Sequence, residues 1–598
     1  MKTFTEPLKE LKEFNDIRDN IKTKTLPVQI TGCIDSQKCH LIYGLGEGFK
    51  FKVIVTYNEI KAKEIYEDYR LYDKNVFIYP SKDIIFYSAD IHGRAIVKDR
   101  LQILKRIIEK QDTTVIMSLE GGMDRLLPLG HIKERIITVD MDSEIQLKDF
   151  EATLIRLGYE RQAQVEAPGE FAVRGGIIDI YPLTEEVPYR IELWGDTIDS
   201  IRTFDVSSQR SIEQVDRLVI YPAAEIIPDE KRLTEGLKKI EQEEKRYIKI
   251  LKEEGKVEEA ERIRSIIAEF KENLEVFQGS VGLESYINYF YDNTMSFYEY
   301  FDNEDTLFFL DEPGRLVEKG EAVENEFREG MIGRIEKGDI LPGQMNVIYG
   351  YKDVFNILAR KNTLLVSTME PKSSYISAKR KYSFTVQPIA SYHKSFDVLV
   401  KDLEYWKKNK YRVILLSGSR TRAKRLSEDL MDFNLNPFYS EDMDRILQEG
   451  EIMVTHGNLK RGFSYPLIKL VIISESDIFG GEKKKRKKRY SYEGQKIQSF
   501  TDLTPGDYVV HENHGLGIYR GIEKIEVDKV TKDYIKIEYG DGGVLYVPAT
   551  GLDVIQKYTG TEGRKPKLNK LNSSEWKNTK ARVKGAVREI AKELVELY

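Results

Sequence analysis

The segment VQITGCIDSQKCH (residues 28–40) places a short apolar strand before a loop that opens a helix. A loop that binds phosphate needs a glycine-rich turn followed by Gly-Lys-Ser/Thr at the start of the helix. Gly32 and Lys38 keep this spacing, but Gln37 occupies the position of the second glycine and Cys39 that of the magnesium-binding hydroxyl. A Cβ atom impedes the tight turn, and a thiol is a poor ligand for a hard cation. The sequence therefore predicts a strand–loop–helix unit whose nucleotide loop is degenerate and binds no ATP.

The pattern around this loop predicts a multi-domain α/β protein. Apolar runs alternate with amphipathic helices over 1–148 and again over 214–375, which is typical of a parallel sheet covered on both faces. Between these parts, period-two alternation with Gly and Pro predicts a small, mostly antiparallel β-rich insert at 149–213. The predicted remaining units are a second α/β domain at 391–480, a basic linker at 481–498, a small Tudor/SH3-like β-barrel at 499–560 and a linker helix at 571–598.

Three further expectations concern single elements. MNVIYG (345–350) is expected to resume the α/β pattern after the strand in EDTLFFLDEP (304–313). The highly charged stretch 237–275 is expected to form solvent-facing helices. In the barrel, GLGIYRG (515–521) and IEKIEV (522–527) are expected to be two separate strands.

Composition and charge exclude several classes of protein. The 598 residues carry a formal net charge of −6, so any DNA contact must be local. The basic run Lys483–Arg489 is predicted to be a solvated linker, with phosphate contact as the alternative. Only two cysteines are present, which rules out a disulfide framework, and no apolar run could span a bilayer. We expect a cytoplasmic protein without a metal site and without membrane contact.

Asp311 and Glu312 follow an apolar strand, where a nucleotidase would place its magnesium-binding and water-activating carboxylates. Because the phosphate loop is degenerate, we predict instead that this acidic strand end caps the following turn. A degenerate first motif beside a surviving second one indicates a domain that descends from an ATPase and now serves as a scaffold.

The insert places three arginines on short strands near one tryptophan: Arg174, Arg190, Arg202 and Trp194. Arginine beside an aromatic side chain is typical of the energetic centre of a protein interface. A tryptophan in the core with merely solvated arginines fits the composition equally well.

PGEFAVRGGIIDIYP (168–182) and FDVSSQRS (204–211) closely resemble the module shared by the excision-repair protein UvrB and the transcription-repair coupling factor (Mfd) family. In both families this module docks UvrA. The resemblance therefore implies UvrA contacts at Arg174, Arg190 and the aromatic position Trp194, where related proteins often carry Phe. UvrB binds ATP and clamps DNA with a long aromatic hairpin, and the degenerate loop and the lack of such an insertion favour the coupling factors.

The motif LTPGDYVVHENHGLGIYRGIEKIEV…DYIKIEYGDGGVLYVPATGLDVIQKY (503–558) resembles the RNA-polymerase-interacting domain of the coupling factors, shared with the CarD family of transcription regulators. An exposed edge strand of a small barrel can extend a partner's sheet through backbone hydrogen bonds. The resemblance implies that Gly521–Val527 is this edge and that Ile525, with Lys524 and Glu526, grips the β subunit of the polymerase. The alternative is that Ile525 faces the barrel core.

Both resemblances imply an adaptor that binds stalled RNA polymerase and recruits UvrA, and with it nucleotide excision repair, to the transcribed strand. Coupling factors continue with two helicase-like lobes that hydrolyse ATP with magnesium and translocate on DNA. Nothing after Tyr558 resembles these lobes, so this chain is expected to be non-catalytic, and the helix at 571–598 to lead to the absent motor. Two alternatives stay open: an ATP-binding, UvrB-like repair subunit that uses Lys38 and Asp311, and a transcription regulator of CarD type.

Overall fold

The structure is a computed structural model that describes residues 1–82, 94–206, 208–277, 283–371, 375–392, 395–433, 435–480, 495–496, 503–511, 514–527, 530–540, 542–548, 555–558, 566 and 568–570. Two predicted features, the basic run Lys483–Arg489 and the helix at 571–598, lie outside the described residues. Within the described part of the chain, no helix combines the length and the apolar character that crossing a membrane requires.

The strands in chain order are β1 (Val28–Thr31), β2 (Phe51–Thr56), β3 (Val76–Tyr79), β4 (Thr113–Ser118), β5 (Ile137–Asp140), β6 (Glu160–Arg161), β7 (Glu170–Arg174), β8 (Ile177–Ile180), β9 (Tyr189–Trp194), β10 (Thr197–Phe204), β11 (Ser211–Gln214), β12 (Arg217–Ile220), β13 (Thr306–Asp311), β14 (Thr363–Val366), β15 (Arg380–Ser383), β16 (Gln387–Pro388), β17 (Arg412–Ser417), β18 (Phe438–Tyr439), β19 (Ile452–His456), β20 (Phe463–Tyr465), β21 (Leu470–Ile473), β22 (Gln495–Lys496), β23 (Tyr508–His511), β24 (Gly515–Val527), β25 (Val530–Glu538), β26 (Val544–Pro548) and β27 (Ile555–Lys557).

The α-helices in chain order are α1 (Lys2–Thr5), α2 (Lys12–Lys22), α3 (Asp35–Leu45), α4 (Glu59–Tyr69), α5 (Arg94–Ile108), α6 (Leu129–Lys133), α7 (Leu147–Arg156), α8 (Glu230–Glu253), α9 (Val257–Phe277), α10 (Ile287–Phe290), α11 (Pro313–Glu336), α12 (Tyr351–Ala359), α13 (Phe396–Lys408), α14 (Arg420–Met431) and α15 (Glu475–Phe479).

The first unit is built on a seven-stranded sheet in the order β15-β1-β14-β13-β2-β4-β3, and all neighbouring strands are parallel. Every residue of the apolar strands β4 and β13 is buried, because helices and other chain segments cover both faces of the sheet. The predicted parallel α/β sheet is confirmed.

The insert forms a six-stranded sheet in the order β11-β10-β9-β8-β7-β6, antiparallel except between β6 and β7. Gly175 and Gly195 adopt positive φ at the β7–β8 and β9–β10 turns, which a residue with a side chain would adopt less readily. The separate pair β5–β12 contributes Val139 and Leu218 to the same core, which therefore extends past the predicted bounds of 149 and 213.

A third unit contains a mixed sheet in the order β16-β20-β21-β17-β19-β18, in which β17 pairs in parallel with β19 and β21. One face of this sheet packs on α13 and α14, and the opposite face joins the core of the first unit. The strands β17, β19 and β21, with α14 between β17 and β19, agree with the α/β pattern predicted for 391–480.

The fourth sheet has the order β22-β27-β23-β24-β25-β26, and all its pairs are antiparallel. The prediction of two strands over 515–527 is wrong, because β24 is continuous and its pairing with β25 only shifts register between Tyr519 and Gly521. Gly521 has a φ of +110°, so this glycine supports a bulge rather than a turn.

Two expectations for the first unit are also wrong. MNVIYG forms no strand of the sheet: Val347 and Ile348 are buried in a loop, and the next strand along the chain is the short apolar run β14. The charged helices α8 and α9 do not simply face solvent, because Ile240, Ile263 and Ile267 are fully buried against the first unit. The apolar residues of α8 and α9 form a narrow stripe among many charged residues, which is why the sequence pattern suggested exposed helices.

A buried ion network joins the first sheet to the chain that leaves the insert. Arg100 on α5 is fully buried and donates from Nε to Glu225 (2.7 Å) and from Nη1 to Asp124 (2.8 Å). Lys82 donates to the other oxygen of Glu225 at 2.9 Å. Burial alone would raise the pKa of Glu225, but Arg100 and Lys82 lower it to about 2. The carboxylate is therefore charged at neutral pH and links the segment after β12 to α5.

Candidate functional site

The segment predicted to be a degenerate nucleotide loop joins β1 to the first turns of α3, and its Lys38 pairs within the chain. Lys38 Nζ lies 2.6 Å from Asp311 Oδ1 and 2.5 Å from Glu312 Oε1, with only 8% of the lysine side chain exposed. Thr56 donates to the second oxygen of Asp311 at 2.8 Å. Burial would lower the pKa of Lys38, but the two carboxylates outweigh this effect and raise the pKa. Lys38 is thus a charged, internally neutralised group.

The prediction that Asp311 and Glu312 cap the following turn is wrong. Glu312 precedes α11 but makes no side-chain cap, and its carboxylate instead accepts hydrogen bonds from Lys38 and from the backbone and hydroxyl of Thr368. The reason is electrostatic, because a buried ammonium attracts both carboxylates more strongly than a neutral amide at a helix start does.

The backbone just after β15 packs closely against the loop at Gly32. A Cβ atom at Gly32 would lie 2.1 Å from the carbonyl oxygen of Phe384.

Helix α3, which follows the loop, contacts the third unit through buried polar side chains. Gln37 donates from Nε2 to the Tyr465 hydroxyl at 2.7 Å, and the same hydroxyl lies 3.1 Å from His40 Nδ1. His40 Nε2 lies 2.9 Å from the carbonyl oxygen of Phe4, and all three polar side chains are fully buried. Gln37, which replaces the glycine of a working loop, therefore binds strand β20 of the third unit. Cys33 and Cys39 are buried, unpaired thiols.

The outer face of the insert sheet brings together the residues that were predicted to contact UvrA. Arg174 on β7, Arg190 and Trp194 on β9, and Arg202 on β10 alternate with residues that face the core, such as Ile191 and Ile201. The side chain of Trp194 is 83% exposed. The alternative of a buried tryptophan in the core is therefore wrong.

Asp179 on β8 is a residue of this face that the sequence analysis missed. Its carboxylate is fully buried and accepts hydrogen bonds from both arginines: Arg190 Nε at 2.7 Å, Arg190 Nη2 at 3.0 Å and Arg174 Nη2 at 2.5 Å. These hydrogen bonds raise the pKa of Arg190, although burial acts in the opposite direction. An acid between Ile178 and Ile180 in an apolar strand was the signal that could have indicated this role.

The segment Gly521–Val527 is the outer half of β24. It pairs with β25 on one side, from Gly521–Lys536 to Val527–Val530, whereas β23 on the other side pairs only with 515–518. Among the strands of the described chain, none pairs with the second side of 521–527. For Lys524, Ile525 and Glu526, only this backbone pairing is described, and their side chains fall outside the described part of the structure.

Within the described ranges, no group of three or more His, Cys, Asp or Glu side chains is arranged to hold a metal ion. The sites that the structure does present are a closed loop and two exposed sheet surfaces.

Replacing Lys38 by Ala is expected to lower the free energy of unfolding by about 3–5 kcal/mol, because Asp311 would stay buried without its cation. Urea denaturation followed by circular dichroism measures this loss. Lys9→Ala is the matched control, since its pair with Glu6 is exposed and its removal should change stability by less than about 1 kcal/mol. Calorimetric titration with ATP and magnesium should show no binding to the wild type, and micromolar binding that Lys38→Ala abolishes would contradict the closed loop.

His40 is expected to make the first unit less stable in acid. Burial lowers the pKa of His40 from 6.5 to about 4, so between these values the unfolded chain binds a proton that the folded chain excludes. Stability is therefore lost as the pH falls from about 6.5 toward 4. Asp68, whose pKa burial raises to about 6, acts in the opposite direction, so the comparison must be with His40→Gln. Thermal unfolding at several pH values should show a shallower acid slope for this variant, and an unchanged slope would show that His40 does not contribute.

Three protein-family models match the chain. The UvrB interaction domain matches residues 137–226, the MFD D3 domain matches residues 405–478, and the CarD-like/TRCF RID domain matches residues 503–559. The first match covers the insert sheet together with β5 and β12, the second covers most of the third unit, and the third covers most of the fourth sheet.

Curated relatives match nearly the whole chain. The transcription-repair-coupling factor of Bacillus subtilis is 33% identical over 551 residues, which is 91% of this chain and 46% of the relative. That of Staphylococcus epidermidis is 31% identical over 585 residues, or 96% and 48%, and that of Staphylococcus aureus is 29% identical over 608 residues, or 100% and 50%. The chain spans about half the length of these relatives. It is therefore a relative of the transcription-repair-coupling factors that carries, in this order, a UvrB interaction domain, an MFD D3 domain and a CarD-like/TRCF RID domain.

Proposed function

We propose that this chain acts in transcription-coupled DNA repair as an adaptor between RNA polymerase and the excision-repair protein UvrA. The observation that carries this proposal is the presence of a UvrB interaction domain and a CarD-like/TRCF RID domain in one chain. The first is the kind of module that the resemblance links to UvrA, and the second is the kind that it links to the polymerase. A protein with both can hold a stalled polymerase and bring repair to the transcribed strand.

The finer assignment of units is part of the same proposal. The seven-stranded sheet is assigned to a degenerate phosphate-loop domain, split as 1–148 and 214–375 around the UvrA-binding insert at 149–213, and its edge strand β15 lies beyond residue 375. The third domain covers 391–480, a basic linker follows at 481–498, and a Tudor/SH3-like barrel covers 499–560. The internal pairing of Lys38 supports the first assignment, and the antiparallel order of the fourth sheet supports the last.

Adaptor function does not require catalysis by these residues. ATP, magnesium and most DNA contact belong to the translocase that the resemblance implies for coupling factors, and the protein is expected to act in the cytoplasm. Lys38 is already neutralised by two carboxylates, which disfavours the alternative of a UvrB-like ATP-binding subunit. A CarD-type regulator alone would not need the insert.

The polymerase contact is proposed to lie at the outer half of β24, through Ile525 with Lys524 and Glu526. The strand pairing of β24 supports this proposal. Residues 521–527 pair with β25 on one side, and none of the described strands pairs with the other side. Such an edge can accept a strand of the polymerase β subunit by backbone hydrogen bonds.

Ile525→Arg is expected to reduce binding of the chain to RNA polymerase at least about tenfold, because charged side chains on an edge oppose further strand pairing. Co-elution and interferometry with purified polymerase measure the change. Leu467→Arg, at an exposed apolar residue of the third unit, is the matched control and should bind as the wild type does. Equal binding by Ile525→Arg would contradict pairing at this edge, and unfolding of the sheet by this change would mean that Ile525 lies in the core.

The UvrA contact is proposed to lie on the outer face of the insert. Trp194→Ala is expected to weaken UvrA binding about tenfold or more while leaving stability within about 0.5 kcal/mol, because the side chain is 83% exposed. Pull-down and titration with purified UvrA measure the first effect and thermal unfolding the second. Val257→Ala, an exposed apolar residue at the α8–α9 tip, should change neither. A wild-type chain that does not retain UvrA would overturn the repair half of the proposed function.

A further inference from the structure

The two arginines that meet at Asp179 differ in how much of each remains available to a partner. Arg190 donates from Nε and Nη2 to Asp179 and from Nη1 to the carbonyl oxygen of Gln209 at 3.2 Å. Its guanidinium carbon lies 4.9 Å from the centre of the Phe204 ring, and only 14% of its side chain is exposed. All three of its nitrogens are thus already engaged within the insert.

Arg174 and Arg202 are more exposed and make fewer contacts within the insert. Arg174 makes one hydrogen bond to Asp179 and is 45% exposed. Arg202 is 40% exposed, and its Nη2 lies 3.9 Å from Glu192, whose carboxylate already accepts a hydrogen bond from Ser200 at 2.9 Å. Both guanidinium groups therefore keep donors that face solvent.

The register of the sheet fixes where these groups lie. Arg202, Arg190 and Asp179 are direct neighbours in one row across β10, β9 and β8. Arg174 lies on β7, and Trp194 lies on β9, which is between the strands of the two exposed arginines. Along β9, Arg202 lies level with Arg190 and Arg174 lies level with Glu192, so the exposed Trp194 lies on the same face beyond both arginines, beside the β9–β10 turn.

We propose that Arg190 is a positioning residue that acts through Asp179, and that Arg174 and Arg202 are the arginines that contact the partner's carboxylates on the face that also presents Trp194. This inference rests on the proposed function, in which this face binds UvrA. The matching surface on the partner has an apolar recess for the indole and acidic side chains at its borders. Arginine forms bidentate pairs with carboxylates, and the exposed guanidinium groups of Arg174 and Arg202 keep donors for such pairs.

The role of Arg190 follows from the charge of Asp179. A buried carboxylate needs its cations, and Arg190 satisfies both of its oxygens. Without Arg190, Asp179 is left with Arg174 alone and draws that guanidinium into the sheet, away from the partner. If Asp179 is removed as well, this inward pull disappears and Arg174 is free again.

This reasoning gives a double-mutant test on the full chain, with purified UvrA titrated at low and moderate ionic strength. Arg174→Ala and Arg202→Ala are each expected to weaken binding about tenfold and to reduce its dependence on salt. Arg190→Ala should also weaken binding, but Asp179→Ala combined with Arg190→Ala should recover to within about threefold of the wild type. Arg161→Ala, an exposed arginine on the edge strand β6, is the matched control and should bind normally.

The outcomes separate the inference from the function on which it rests. If the double variant binds as weakly as Arg190→Ala or more weakly, while its thermal unfolding matches that of the wild type, Arg190 touches the partner itself and the inference is overturned. Unchanged binding by Arg202→Ala overturns the assignment of Arg202. Absence of UvrA binding by the wild type overturns both the inference and the proposed function. If the wild type binds UvrA and one of the two results above is found, only the inference is overturned.

Discussion

The ammonium group of Lys38 is removed from water, and a buried charge has to be neutralised inside the fold. Asp311 and Glu312 do this from the end of strand β13, and Thr56 at the end of β2 donates to the second oxygen of Asp311. In a working nucleotide loop, phosphate is the anion that meets this lysine. Here the chain provides its own anions, which link the ends of β13 and β2 to α3.

With Lys38 neutralised inside the fold, other side chains of α3 contact the third unit. Gln37 and His40 point to Tyr465, and Ser36 accepts a hydrogen bond from the backbone of Arg461 at 3.1 Å. The third unit thus packs directly against the helix that follows the loop.

Local pattern and non-local pairing differ in how well the sequence reveals them. The strand–loop–helix around Gly32, the parallel sheet and the placement of Trp194 on a β-hairpin all follow from residues close together in the chain. The pairing of Lys38 with Asp311 joins positions 273 residues apart, and that of Gln37 with Tyr465 joins positions 428 apart. No periodic pattern in the sequence indicates either of these pairings. Gly521 was ambiguous for another reason, since a positive φ serves a bulge as well as a turn.

The two proposed interfaces use different parts of a β-sheet, and this difference has a consequence for an adaptor. The insert offers side chains on a face, where exposed guanidinium groups attract carboxylates and the attraction is weakened by salt. The outer half of β24 offers backbone groups at an edge, whose pairing depends little on ionic strength and takes its specificity from alternate side chains. In the proposed adaptor no residue serves both surfaces and each surface responds to a different condition, so the proposal implies that one partner can be exchanged while the other stays bound. An adaptor with a single kind of surface could not separate its two partners in this way.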